Sequence, residues 1–292
     1  MIRIIFKHIT GWAKLQYCFA ALFICINSSL DAQVPLEIDD GGYLFIKVKI
    51  NDADSARFML DTGGGINMLS EELFNKLKSS MTALGLHTGT RHNGESSTGM
   101  LYQLSSLSVG NFKKQNVAVG EWSGLKNCDG ILSMNYFEDI PFTIDFKNKL
   151  LIIESSPGLN KIKSSASRIP IILKRNGKYE LDFFVNICLN DSIPAKAEFD
   201  TGAGFNMLML QPRYLDLLKI KIDTKNKTDY GYYIYSTKLS KLSYCAVPRL
   251  EQSNVFVGFK EGLIYNALVG SGMFSTKKLT INLANSEIFV SE

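Results

Sequence analysis

Apolar and polar positions alternate with period two in two widely separated parts of the chain. Leu44, Ile46, Val48 and Ile50 alternate with Tyr43, Phe45, Lys47 and Lys49. Leu181, Phe183, Val185, Ile187 and Leu189 repeat the pattern in the second half. Runs of this kind predict strands with one buried face. Ile50 and Leu189 each stand 11 residues before an aspartate, Asp61 and Asp200, and the likeness continues through them. FMLDTGGGINMLS at 58–70 matches EFDTGAGFNMLML at 198–210, with the aspartates 139 residues apart. Ser70, followed by Glu71 and Glu72, predicts a capped helix start after the first copy, and Pro212 predicts a helix running through Leu218 after the second.

A second pair of segments closes each half at an offset of 137. GILSMNYFEDIPFTIDFKNKLLII from Gly130 matches ALVGSGMFSTKKLTINLANSEIFV from Ala267. Each predicts an apolar strand, a short helical turn and a hairpin, around Lys147 to Lys149 and around Ala284 to Ser286. An internal repeat of this length predicts two similar lobes. The polar segment SSPGLNKIKSSASR at 155–168 reads as an exposed linker between them. The expected organisation is a first lobe at 33–155, a linker at 156–168 and a second lobe at 169–292.

The residues before 33 carry Arg3, Lys7 and Lys14 ahead of an apolar run from Tyr17 to Ile26, with Leu30-Asp31-Ala32 at a cleavable end. That is the build of a signal peptide spanning 1–32, so the expectation is export to the periplasm, cell surface or medium, with no stable membrane insertion after cleavage. Removing it takes the net charge from +4 to +2, with 29 basic residues against 27 acidic, too little to imply a nucleic-acid partner. Cys128, Cys188 and Cys245 follow no metal-binding spacing, so neither a metal nor a cofactor is expected. An odd count leaves either three thiols or one bridge, for which Cys188 and Cys245 are the candidates. His87 and His92 fall in a polar, Gly- and Thr-rich stretch and read as solvated loop residues.

One Asp-Thr-Gly triplet is an ordinary turn; two at equivalent places in duplicated halves imply chemistry. Each aspartate ends an apolar strand, where a lone charge is costly, and a twofold relation between the halves brings the two carboxylates together. Carboxylates in contact share one proton, so one member acts as base and the other as acid. Water between them is then activated for hydrolysis without a covalent intermediate. Thr62 and Thr201 can bond across the axis, while Gly63 and Gly202 leave room beside the carboxylates.

At these residues the sequence resembles the aspartic peptidases of the pepsin and retropepsin type. The resemblance covers most of the chain after residue 32. It implies an all-β, bilobal acid-protease fold of two closed lobes, with a few short helices, and a monomeric endopeptidase acting on protein or peptide substrates. Asp61 and Asp200 would be catalytic, and Thr62, Gly63, Thr201 and Gly202 would support them. It also implies a covering hairpin within Gly94 to Tyr102, with Tyr102 either a substrate-facing aromatic or a tyrosine of an ordinary strand. Three positions depart from the family pattern. Ser133 replaces the glycine expected behind the first loop, and Gly64 and Ala203 stand where the pepsin branch has a hydroxyl. These departures motivate the alternative of an inactive peptide-binding protein with the same fold.

Overall fold

The computed structural model describes residues 32–205, 208–221, 235–245 and 247–292. The expected signal peptide up to residue 31 lies outside the described residues. Ala32–Glu292 cluster as one unit.

The first half contains β1 (Ala32–Ile38), β2 (Leu44–Ile50), β3 (Asp54–Asp61), β4 (Asn67–Leu69), β5 (Thr82–Thr90), β6 (Ser96–Val109), β7 (Phe112–Glu121), β8 (Gly130–Ser133), β9 (Phe142–Asp145) and β10 (Leu150–Ile153). The second contains β11 (Ser167–Asn176), β12 (Glu180–Leu189), β13 (Ile193–Phe199), β14 (Leu208–Leu210), β15 (Tyr235–Tyr244), β16 (Val247–Phe259), β17 (Ala267–Val269), β18 (Lys278–Asn282) and β19 (Glu287–Ser291). The all-β expectation holds, and the repeat extends to the pairing itself. β2 pairs antiparallel with β3, as β12 does with β13. β3 runs parallel to β8, as β13 does to β17. β4 lies parallel to β7 and antiparallel to β8, and β14 repeats this with β16 and β17. In β2 the alternating residues Leu44, Ile46, Val48 and Ile50 are all buried while Lys47 and Lys49 are exposed. Period-two patterning therefore fixes which face of the strand enters the core.

The halves join through one sheet, in which β9 pairs antiparallel with β18. Around that pair stand the β9–β10 and β18–β19 hairpins, flanked by β1 on β10 and β11 on β19. Thr143 and Thr280, 137 residues apart, meet hydroxyl to hydroxyl at 2.6 Å in that junction.

Three short helices decorate the sheets. Ser70 caps α1 (Glu71–Leu77) by accepting from the Leu73 N–H at 3.3 Å, and the helix buries Leu73, Phe74 and Leu77. The segment expected as linker instead forms α2 (Ser156–Ser165), because Ser155 accepts from the Gly158 N–H and Pro157 suits the first turn. It rests on β19, with Lys163 near Glu287 at 3.5 Å and over the Phe289 ring. α3 (Tyr214–Leu217) is a single turn shorter than the pattern after Pro212 predicts.

Candidate active site

Each Asp-Thr-Gly loop is pinned between strands that share a partner. β3 ends at Asp61, whose register partner is Ser133 on β8, and β4 returns along the same strand. The second loop repeats this with β13, β14 and β17. Ser133 is fully buried and does not crowd the loop, since its hydroxyl donates to Asn67 Oδ1 at 3.3 Å and its N–H to the same oxygen at 3.0 Å. A glycine expected on pattern is thus replaced by a serine whose extra polar atom is satisfied.

The two loops grip each other across the lobe junction. The Thr62 N–H donates to Thr201 Oγ1 at 3.0 Å, and the Thr201 N–H to Thr62 Oγ1 at 2.9 Å. Each hydroxyl then donates onward, Thr62 to the Phe199 carbonyl at 2.8 Å and Thr201 to the Leu60 carbonyl at 2.6 Å. The glycines are required by close approach. A Cβ on Gly63 would stand 2.5 Å from the Asp200 carboxyl carbon, and one on Gly202 would stand 2.6 Å from that of Asp61. Each glycine therefore packs against the carboxylate of the opposite lobe.

Asp61 and Asp200 face each other closely enough that each carboxyl shifts the titration of the other. Burial pushes the Asp61 carboxyl above its usual range, while its bond to Asp200 and the N–H groups of Gly63, Gly64 and Gly202 hold it back. The Asp200 carboxyl is pushed well above, first by burial and then by the charge and hydrogen bond of Asp61. Asp200 Oδ1 is buried without a hydrogen-bond partner. Two such groups in contact hold a proton jointly.

Acidic residues absent from the sequence expectation crowd the same place. Glu198 stands two positions before Asp200 on β13, hence on its face of the strand, and is 3% exposed. Burial first, then the charges of Asp200, Asp182 and Asp61, push its carboxyl well above the usual range, and a hydrogen bond to Tyr265 opposes them. Asp182 on β12 is raised to about 6 by burial and by Glu180. The signal was present in E-F-D-T-G, since period two sends Glu198 the same way as Asp200.

The covering hairpin is longer than expected, with β5 and the start of β6 as its arms and residues 91–95 at its tip. Tyr102 lies at its base and not at the substrate end. Its ring meets Phe74 of α1 edge-on, centroids 5.1 Å apart, so it packs on the first lobe's core. The solvated-histidine expectation is also corrected. His87 on β5 bonds Glu180 of β12 at 3.0 Å, with both side chains largely buried. The His92 ring nitrogen lies 2.9 Å from Lys260 Nζ, and its carbonyl accepts from the Ile264 N–H at 2.9 Å. The hairpin of the first lobe is thereby fastened to the second.

Residues 46–136, which include Asp61 and the hairpin, match the family model described as aspartyl protease. A search of curated proteins finds no significant match. Among solved structures, basic 7S globulin from soybean is similar at 12% identity, with a TM-score of 0.55, over 89% of this chain and 94% of that one. Conglutin gamma, a basic 7S globulin from lupine seeds, is similar at 11% identity, with a TM-score of 0.56, over the same shares. The chain thus has an all-β, acid-protease-like fold, and its first half resembles the aspartyl protease family model over residues 46–136, while the second half repeats the build with its own Asp-Thr-Gly loop.

Proposed function

We propose that this chain is an exported, monomeric aspartic endopeptidase that hydrolyses peptide bonds of protein substrates through water activated between Asp61 and Asp200. The observation that carries the reading is the facing of two carboxylates, Asp200 buried and Asp61 partly so, in loops locked by reciprocal threonine bonds. With one proton on the pair, Asp61 takes a proton from the water while Asp200 donates to the carbonyl oxygen of the scissile bond. The resulting tetrahedral species collapses when the amine leaves with a proton returned through Asp61. No covalent enzyme intermediate is formed. The threonine network holds both carboxyl groups in place before substrate arrives, which is the preorganisation general acid-base catalysis needs.

A second reading, a peptide-binding protein that cleaves nothing, is favoured by the names of both similar structures, which are globulins. Digestion of a labelled peptide library between pH 3 and 8, with and without a hydroxyl-bearing peptide isostere, separates the two. Cleavage blocked by the isostere and absent from Asp200→Asn supports the peptidase. Tight isostere binding without cleavage at any pH supports the binding protein.

A further inference from the structure

We propose that Cys188 and Cys245 form an oxidisable pair that closes to a disulfide, a modification site separate from the carboxylate pair. β12 and β15 run antiparallel with Ile187 opposite Tyr244, Cys188 opposite Ser243 and Leu189 opposite Leu242. The Cys245 N–H donates to the Asn186 carbonyl at 3.1 Å, which continues the ladder by one residue. Side chains alternate between faces, so Cys245 shares the face of Cys188 and stands as its diagonal neighbour across the two strands. Ile187, Leu189, Leu242 and Tyr244 point into the core, which leaves the two thiols on the opposite face.

The Cys188 side chain is near enough to raise the Cys245 thiol. Cys188 is half-buried and Cys245 exposed, so an oxidant reaches the pair from solvent. Cys245 lies in the turn that follows β15, beside a register shift in the β15–β16 pairing, where the backbone can adjust to the narrow geometry a disulfide demands. Cys128 lies before β8 in the other half, so it has no part in the pair.

The co-reactant is a small-molecule disulfide such as oxidised glutathione. One cysteine thiolate attacks it and forms a mixed disulfide, releasing a glutathione thiolate. The second cysteine then attacks the protein sulfur of that bond and releases the other glutathione. Two protein thiols lose two protons and two electrons, and one glutathione disulfide becomes two thiols. Burial and the neighbouring Cys188 raise the Cys245 thiol above its ordinary value, so closure should accelerate from neutral to alkaline pH.

The test is made on the full chain in a glutathione and glutathione disulfide buffer, followed by alkylation under denaturing conditions and peptide mass spectrometry. The expected result is alkylation of Cys128, together with Cys18 and Cys25 wherever the first 32 residues are retained, and a linked pair of peptides containing Cys188 and Cys245. Alkylated Cys188 and Cys245, or a link that includes Cys128 or joins two copies, would overturn the proposal. Cys188→Ser and Cys245→Ser should each abolish the link; a link that persists in either also overturns it. The result does not depend on whether the protein cleaves peptides.

Discussion

In the proposed function Asp61 and Asp200 carry the chemistry, and their raised titration sets the sign of what mutation does. Asp61→Asn and Asp200→Asn should each lower peptide hydrolysis by about 10³-fold or more, because each removes one of the two proton-transfer roles. Both carboxyls are raised in the folded state. A raised acid contributes stability below its unfolded value of about 3.9 and loses it as pH rises through the folded value. The Asn variants should therefore melt at or above the wild-type temperature at neutral pH, with the difference vanishing in strong acid. Thermal melts across a pH series check this, and an Asn variant less stable at pH 7 would contradict it. Glu198→Gln follows the same sign: a gain in stability at neutral and alkaline pH that disappears below about pH 4, read by the same melts. The threonines behave differently. Thr62→Ala leaves the buried Thr201 N–H unpaired, at about 1–3 kcal/mol, and Thr201→Ala does the same to Thr62. Urea titrations measure that loss, which should be similar for the two because the bonds are reciprocal.

The β5–β6 hairpin is the element that joins chemistry to access. It projects from the first lobe and is held on the second by His87 with Glu180 and by the contacts of residues 92 and 264. Under the proposed function, a substrate that enters beneath the hairpin displaces these contacts, so their strength is subtracted from its affinity. The largely buried His87 and Glu180 pair is worth ~1 kcal/mol. His87→Ala should raise hydrogen exchange in residues 82–102 several-fold while leaving exchange in β9 and β18 unchanged, as measured by peptide-resolved mass spectrometry. Equal protection in the variant would mean that the histidine does not hold the hairpin. The hairpin's reach was not readable locally. Thr82–Thr90 contains three Thr and two Gly without strict alternation, so it reads as a loop until β6 supplies the partner strand. The linker helix is the opposite case, since Ser155 and Pro157 are ordinary start signals that a polar composition masked.

Activity of the assembled molecule should follow a bell in pH whose limbs belong to the coupled pair and not to either aspartate. Both carboxyls are raised, and neither Gly64 nor Ala203 offers a hydroxyl to the ionised form, so the maximum is expected in mild rather than strong acid. Ala203→Ser would supply such a donor, favour the charged form and move the acidic limb downward. Gly64→Ser is the harder test, because its Cβ would stand 3.1 Å from the Asp61 carboxyl carbon and the loop must yield. Initial rates between pH 3 and 8 decide the matter. An unmoved acidic limb in Ala203→Ser would show that the missing hydroxyl does not set the titration.

Strand periodicity, the 139-residue and 137-residue offsets and the two Asp-Thr-Gly triplets identified the duplicated β lobes and both aspartates before any coordinate was known. They could do so because period-two burial and loop chemistry are encoded by residues close together in the chain, and duplication writes the same code twice. The meeting of His87 with Glu180, the crowding of Glu198 and Asp182 beside Asp200, the base position of Tyr102 and the shared face of Cys188 and Cys245 depend on residues brought together from distant segments. Only the pairing of the strands and the joining of the lobes decide those contacts, since distance in space between remote segments has no local signature in the amino-acid order.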